Sequence, residues 1–384
     1  MTRCFSLTAA RNRCYKSSFI KAGLRSPITD LQDGTVMHCW VPRTHNDSKP
    51  NLLLIHGLGA NTMWQWGDTI RKMIPFFNIF VPDLVFFGDS YTTRPERSES
   101  FQAQCVMRLM EANSVKKLSL VGLSYGGFVG YSLAAQFSEA VERVVICCAG
   151  VCMEEKDLKE GVFKVSDLEE AAEILVPQTP EKLRELLGFA MFKPPPSTLV
   201  PSCLLADFID VSEPTISVSR TSTNFSSLLI ANRLPQYVCF SFGVVFFSML
   251  CLDVIGNIYK QVMCTEYTEE KKELIRAIPK DRKLSNITRI SQPTLILWGE
   301  YDKIFPLELG HRLQRHLGDN AHLVVIKGTG HAFIVEKPKE CYRHLKSFLV
   351  DLQPPPSTPS PIPNNENHLL SCKGEAEKIT LKTA

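Results

Sequence analysis

A serine flanked by glycines is the residue of this chain best placed for nucleophilic chemistry. The hexapeptide Gly122-Leu123-Ser124-Tyr125-Gly126-Gly127 follows the apolar run 118–121 and precedes a helix-like stretch. A sharp turn from strand to helix holds a serine hydroxyl clear of the sheet, and it needs small residues two before and two after the serine. Gly122 and Gly126 fill those two places. The pattern predicts that Ser124 is a nucleophile.

A base and a carboxylate follow in the order that this chemistry needs. A serine hydroxyl is a poor nucleophile until a histidine takes its proton, and that histidine needs a carboxylate to fix its tautomer. Asp302 comes just after the apolar run 294–298, and His331 comes just after the run 323–326. Both positions follow the carboxyl end of a predicted strand, where sites collect in open α/β sheets. We therefore predict a triad of Ser124, Asp302 and His331, and we interpret the competing Glu300 as a loop-stabilising group.

The tetrapeptide His56-Gly57-Leu58-Gly59 follows the first apolar run of the predicted sheet. Its glycines let the backbone bend, so that amide N–H groups can face an oxyanion that forms during reaction. The expected donors are the N–H of Leu58 and the N–H of Tyr125, the residue after the nucleophile. We interpret His56 as a structural hydrogen-bonding group of this loop, not as a second base.

Short apolar runs separated by helix-compatible segments predict the fold class. Such runs are typical of buried parallel strands, and their alternation with helices favours an α/β fold with helices on both faces of the sheet. The alternating segment 35–41 predicts an additional edge strand. The apolar runs are 51–55, 79–82, 118–121, 144–148, 294–298 and 323–326.

The sheet pattern is interrupted once, and both ends of the chain differ from the core. Between residues 151 and 290 helical patterns replace the strands, which predicts a helical lid inserted in the core. Thr179 followed by Pro180 predicts a helix start there. The predicted organisation is a basic N-terminal segment 1–29, a core formed by 30–150 and 291–352, the lid 151–290, and a disordered Pro-rich tail 353–384.

The four motifs around Leu58, Ser124, Asp302 and His331 together resemble the α/β-hydrolase superfamily, over about residues 30–352. Within it the chain resembles plant serine hydrolases related to 2-hydroxymuconic semialdehyde (meta-cleavage product) hydrolases and to monoacylglycerol lipases. Position 124 is serine, whereas epoxide hydrolases and haloalkane dehalogenases have aspartate there, so the resemblance points away from these two classes of enzyme. One departure is the loop 83–90, where relatives often carry Pro-Gly-x-Gly, and its apolar residues predict a pocket suited to apolar substrates.

Residues 211–261 differ from their surroundings because they carry few charges, and the stretch 235–252 carries none. Read by length alone, that stretch is a marginal membrane span. Relatives resembling this chain run directly from a sequence like 207–210 into one like 262–267. Both ends of the segment can be encoded by splice-site sequences, so we interpret it as a suspected retained intron. No stable membrane span is expected.

Composition excludes some classes of function. With 43 basic and 40 acidic residues and no long basic block, the chain is not expected to bind nucleic acid. Its 13 cysteines lack metal-ligand spacing, so no metal or other cofactor is implied, and a reducing, cytoplasmic location is predicted. The first 29 residues carry six basic residues and no acidic one. That is typical of an organellar transit peptide, or of a basic helix packed beside the fold.

These observations predict an enzyme that cleaves a small apolar or amphipathic carboxylic ester through an acyl-enzyme. One alternative is hydrolysis of a carbon–carbon bond in a vinylogous diketone, because the same triad serves both reactions. A second alternative is a small-molecule receptor with a hydrolase fold and slow turnover. The sequence leaves open the acyl group, the alcohol and any protein partner.

Overall fold

The strands of the computed structural model form one mostly parallel sheet with helices packed around it. The structure describes residues 7–58, 61–165, 167–196, 200–209 and 267–351. The suspected insert 211–261 and the tail 353–384 lie outside the described residues.

The strands are β1 Leu24–Arg25, β2 Ile28–Asp30, β3 Thr35–Pro42, β4 Asn51–Ile55, β5 Asn78–Pro82, β6 Tyr91–Thr92, β7 Leu118–Leu123, β8 Val141–Cys147, β9 Thr294–Gly299 and β10 Ala321–Ile326. The helices are α1 Leu7–Lys21, α2 Thr62–Met73, α3 Glu99–Ala112, α4 Tyr125–Gln136, α5 Leu168–Leu175, α6 Pro180–Ala190, α7 Ser202–Ile209, α8 Thr268–Ala277, α9 Leu307–Leu317, α10 Phe333–Glu336 and α11 Pro338–Lys346. Short 3₁₀ turns occur at Glu155–Leu158, Leu284–Asn286 and Gly318–Asn320, and a π turn at Ser347–Asp351 ends the described core.

The strand order is β1-β3-β5-β4-β7-β8-β9-β10, and all pairs from β5 to β10 are parallel. Each apolar run that predicts a buried strand lies in one of these parallel strands. Residues of β4, β7 and β9 are almost entirely buried, as strands covered on both faces must be. Because parallel strands end at the same edge, the turns after β4, β7, β9 and β10 meet there.

The prediction of an edge strand at 35–41 is wrong in one respect. The strand exists as β3, but it has antiparallel neighbours on both sides. Val36 pairs with Asp30 of β2 and with Tyr91 of β6, while Cys39 and Trp40 pair with β5. The short strands β2 and β6 therefore cover backbone groups of β3 that an edge strand would expose.

A helical insertion joins β8 to β9, and its described residues contain helices and turns without a strand. Thr179 caps α6, since its hydroxyl accepts a hydrogen bond from the Lys182 amide, and Pro180 occupies the first helical turn. The apolar faces of α6 and α7 form a second buried cluster beside the main core, whose members include Leu183, Leu187 and Leu205.

Helix α1 packs against the core and against this second cluster. Phe19 is fully buried and meets Trp40 edge to face, with ring centroids 5.0 Å apart. Tyr15 meets Trp64 of α2 in the same way at 5.4 Å. This geometry is that of a basic helix packed beside the fold. Within the described part of the chain, no helix is both long and apolar enough to span a membrane.

Replacing Phe19 with alanine tests whether α1 is an integral part of the fold. We expect Phe19→Ala to lower the free energy of unfolding by about 3 to 5 kcal/mol, because it empties a fully buried aromatic site. The adjacent Ile20 is 41% exposed, so Ile20→Ala should change stability by no more than about 0.5 kcal/mol. Urea unfolding of both variants measures this, and equal stability of the two would contradict the packing of α1.

Candidate active site

Ser124 lies in the turn between β7 and α4, in a strained backbone conformation. Its φ of 54° and ψ of −122° belong to a region that non-glycine residues rarely adopt. A hydrogen bond from its amide to the Cys147 carbonyl, 2.8 Å long, holds the turn against β8. A Cβ on Gly122 would overlap the Gly126 carbonyl, and one on Gly126 would overlap the His56 carbonyl. The two glycines singled out by the sequence therefore make this turn sterically possible.

The structure brings Ser124, His331 and Asp302 into one hydrogen-bonded series. His331 Nε2 lies 2.9 Å from Ser124 Oγ, and His331 Nδ1 lies 2.8 Å from Asp302 Oδ2. The Asp302 side chain has no exposed surface, and its other oxygen accepts hydrogen bonds from the amides of Ile304 and Phe305. With Nδ1 donating to the carboxylate, Nε2 is left to accept the serine proton.

The residues expected to support this series lie beside it. Glu300 accepts a 2.8 Å hydrogen bond from the Gly328 amide and so stabilises the loop before His331, which is the role predicted for it. The turn after β4 comes directly over Ser124, since a Cβ on Gly57 would lie 2.9 Å from Ser124 Cβ. Gly59 lies outside the described residues.

Two backbone amides near Ser124 remain available to a ligand. Neither the Leu58 amide nor the Tyr125 amide has a hydrogen-bond partner within the described part of the chain. Tyr125 is the first residue of α4, where amides point out of the helix and the helix dipole favours negative charge. Both residues line the same cavity as Ser124. The arrangement can stabilise an oxyanion on a group bonded to Ser124 Oγ.

The cavity at Ser124 is apolar and is closed partly by the helical insertion. It encloses about 830 Å³ of space free of protein atoms, counting its open mouth. No lysine, arginine or carboxylate is among its described lining residues. These are Gly57, Leu58, Gln65, Leu123, Ser124, Tyr125, Leu175, Leu186, Ala190, Ile278, Ile304, Phe305, His331, Ala332, Ile334 and Val335.

A second apolar cavity adjoins the first beneath α5 and α8. The two share Leu175, Ile278, Ile304 and Phe305 as a common wall. Ala171 and Phe163 line only the second cavity. The other side chains that line the second cavity are mostly apolar, and Lys164 and Lys303 are its two cations.

A family model with the description "Alpha/beta hydrolase family" matches residues 52–344, which is most of the chain. The chain belongs to the alpha/beta hydrolase family. Its similarity to the monoacylglycerol lipase ABHD6 of Mus musculus is 23% identity over 328 residues, which cover 82% of this chain and 80% of that protein. The human protein of the same name is 22% identical over 327 residues, with 82% and 79% covered.

Solved structures agree with this α/β-hydrolase fold. A thermophilic esterase from Thermogutta terrifontis superposes with a TM-score of 0.57 at 18% identity, covering 85% of this chain and 97% of that one. A meta-cleavage product hydrolase from Pseudomonas fluorescens IP01 (CumD) gives a TM-score of 0.56 at 19% identity, covering 85% and 99%.

His56 holds the loop over Ser124 in this α/β-hydrolase. It is fully buried; its Nδ1 lies 2.8 Å from the Gly57 carbonyl, and its Nε2 accepts a 3.0 Å hydrogen bond from the Leu84 amide. Burial lowers the pKa of His56, which favours the neutral ring that this pairing requires. The predicted structural role fits these contacts.

Sequence reasoning missed a second Ser–His–Asp series. His38 Nδ1 lies 2.7 Å from Asp83 Oδ2, and His38 Nε2 lies 2.6 Å from Ser26 Oγ. The other Asp83 oxygen accepts a 2.8 Å hydrogen bond from Thr62 at the start of α2. None of these residues lines the cavity at Ser124. The pair joins β3 to the turn after β5 and anchors α2, so its contacts are structural.

The apolar loop 83–90 does not line the cavity, so the prediction that it makes the pocket apolar is wrong. Val85, Phe86 and Phe87 are buried in the core, and Phe87 meets the His56 ring at 4.9 Å between centroids. The insertion and the segments after β9 and β10 supply the apolar lining. These residues carry no motif, and only the tertiary structure brings them together.

Glu336 lies in α10, and the sequence alone did not identify it as part of the site. Its carboxylate accepts hydrogen bonds from the Gly330 amide, at 2.6 Å, and from the Phe192 amide, at 3.0 Å. Gly330 precedes His331, and Phe192 follows α6 of the insertion. The Ala332 amide adds a 2.8 Å bond to the Ala190 carbonyl. Hydrogen bonds therefore connect the loop that carries His331, which we call the histidine loop, to the insertion.

Cys148 lies behind the Asp302 carboxylate, and its sulfur accepts a 3.4 Å hydrogen bond from the Gly299 amide. Its sulfur, an Asp302 oxygen and a His331 nitrogen lie within 4.8 Å of one another. Burial, followed by the charge of Asp302, raises the pKa of the Cys148 thiol well above its usual range. The protonated thiol is unlike the thiolate that binds metals, and both His331 nitrogens already have partners.

The pH dependence of stability tests the pair formed by His38 and Asp83. Burial opposes charge on His38, but the bond to Asp83 outweighs it and raises the pKa of His38 above 6.5. The stabilisation by charged His38 is therefore complete below about pH 6.5 and is lost as pH rises through the raised value. We expect His38→Gln to be most destabilising in mildly acidic solution and less so in alkaline solution. Urea unfolding of both proteins across pH measures this, and a deficit that grew with pH would contradict it.

Proposed function

We propose that this protein is a serine hydrolase that cleaves carboxylic esters through an acyl-enzyme at Ser124. The observation that carries the proposal is the unbroken series from Ser124 through His331 to Asp302, at an apolar cavity beside two available amides. The monoacylglycerol lipase relatives support ester substrates. The esterase of the same fold is consistent with this reaction.

The geometry accounts for each proton and bond in the reaction. Ser124 Oγ attacks the ester carbonyl carbon as its proton passes to His331 Nε2. The amides of Leu58 and Tyr125 donate hydrogen bonds to the resulting oxyanion. Charged His331 is stabilised by Asp302 and then protonates the departing alkoxide, which leaves an acyl-enzyme. Water repeats the sequence, giving its proton to His331 and its oxygen to the acid, and Ser124 regains its proton.

The cavity favours an ester with an apolar acyl chain over a carbon–carbon bond substrate. A dienoate of the meta-cleavage type carries a carboxylate, which needs a cation or several donors when it is buried. The described lining at Ser124 offers no lysine or arginine. A linear acyl chain instead finds apolar side chains up to the shared wall and in the second cavity beyond it. We therefore propose single-chain lipid esters as the substrate class.

Replacing Ser124 with alanine is the first test. We expect Ser124→Ala to reduce kcat/KM for p-nitrophenyl butyrate by at least about 10⁴-fold, because it removes the nucleophile. The matched control is Ser26→Ala, which removes the serine of the other Ser–His–Asp series and should leave the rate within about twofold. Activity retained by Ser124→Ala, or lost only in Ser26→Ala, would refute the assignment.

Labelling by a fluorophosphonate probe separates the role of the triad from that of residues 211–261. The full chain and a form lacking this segment are compared, with Ser124→Ala as the unlabelled control. Labelling of both forms supports a triad that assembles with the segment present. Labelling of the short form alone supports a retained intron, and labelling of neither contradicts the serine-hydrolase proposal. Repeated turnover of an ester distinguishes the enzyme from a receptor that releases product slowly.

Filling the second cavity tests the substrate class. Ala171 lines that cavity but not the one at Ser124, so Ala171→Trp should obstruct a long acyl chain and spare a short one. We expect kcat/KM for p-nitrophenyl laurate to fall about tenfold or more, because each buried methylene contributes about 0.8 kcal/mol. The butyrate ester should be unaffected. Ala112→Trp, at the exposed end of α3, is the matched control. Equal effects on both esters would contradict passage through the second cavity.

A further inference from the structure

The exposed side of α1 is a basic surface. At about 100° per residue, Arg13, Lys16, Ile20 and Lys21 fall within about 140° of the helix circumference. The buried Tyr15 and Phe19 lie on the opposite side. All four residues of the outer face are exposed, as is Arg25, which follows in β1. We call Arg13, Lys16, Lys21 and Arg25 the basic face.

Among the described residues, the basic face has no paired counter-charge. None of its four side chains forms an ion pair with a carboxylate among the residues that the structure describes. Half-buried cations of α6 and α8 do have acidic partners, such as Lys182 with Glu185 and Lys272 with Glu269. Residues 1–29 contain no acidic residue, while the rest of the chain has more acidic than basic residues. The net positive charge of this protein therefore comes from its first 29 residues.

Apolar groups are exposed on or beside the same face. Ile20 lies between the cations of α1 and is 41% exposed, and Ile28 of β2 is 60% exposed. Lys16 is near enough to His38 for its charge to act on that ring, and His38 bonds Ser26, the residue after Arg25. The helix face and the start of the sheet are therefore neighbours. The carboxylates of Asp83 and Asp89 act on the same ring.

We propose that the basic face docks this protein on an anionic phospholipid surface. Lysine and arginine attract the phosphates of such a surface, and an apolar side chain among them can enter the headgroup region. A nucleic acid would not use the exposed isoleucines. The opposite side of α1 packs on α2 and contacts α7 of the insertion, so the basic face is left on the outside. The helix lies on the surface and does not span it.

The test is binding of the full chain to vesicles, carried out in the Ser124→Ala background so that no lipid is consumed. Vesicles of phosphatidylcholine alone are compared with vesicles containing phosphatidylglycerol, at low and at high salt. We expect sedimentation only with the anionic vesicles, and release at high salt, because screening weakens surface electrostatics. The proposal does not rest on ester hydrolysis, since binding is measured without turnover.

Two charge-matched variants locate the contact. Changing Arg13, Lys16, Lys21 and Arg25 to Gln should reduce the partition coefficient at least about tenfold. The control changes four exposed lysines elsewhere to Gln and should bind as before: Lys116, Lys280, Lys327 and Lys339. Hydrolysis of p-nitrophenyl butyrate with Ser124 restored, together with thermal unfolding, verifies that each variant is folded.

Each outcome decides the proposal. Selective loss in the α1 variant supports docking through the basic face. The proposal is overturned if the full chain does not bind anionic vesicles, if both variants lose binding equally, or if phosphatidylcholine vesicles bind as well as anionic ones at low salt. Retained vesicle binding by the α1 variant would also overturn it, since some other surface would then be responsible.

Discussion

The backbone at Ser124 is the constraint on which the site depends, because a φ of 54° with a ψ of −122° is unfavourable for a residue with a Cβ. The conformation persists because the turn is fixed from three directions. β8 accepts the Ser124 amide, the Ser124 carbonyl accepts the Gly127 amide, and the turn after β4 packs against Gly126. The strain is offset by the buried parallel sheet around it, and it leaves the hydroxyl at the sheet edge where His331 arrives.

The loop over Ser124 depends on groups far from the Ser124 hydroxyl. Thr62 and His38 meet on the Asp83 carboxylate, and the next residue, Leu84, donates to His56. Strand β3, the turn after β5 and the start of α2 are thus joined at one buried charge. These bonds connect His38 to the loop that contains Leu58, although His38 lies outside the cavity.

Much of the sheet and of the site around Ser124 could be predicted from the sequence, because these features depend on local patterns. The apolar runs predict the strands β4 and β7. The glycines around Ser124 are predicted by the steric requirement of one turn. Asp302 and His331 could be placed because parallel strands end at a common edge. Three other features could not be predicted from the sequence. They are the hydrogen bonds from Gly330 and Phe192 to Glu336, the pair formed by His38 and Asp83, and the burial of Phe87. Each joins segments distant in the chain, and neither spacing nor composition encodes which distant partner a side chain meets.

The Glu336 carboxylate connects the helical insertion to the histidine loop. It holds the amide before His331 with one oxygen and the end of α6 with the other. Any outward displacement of α6 that widens the mouth of the cavity therefore also pulls on the histidine loop. One carboxylate thus couples the position of α6, which lines the cavity, to the position of the loop that carries His331.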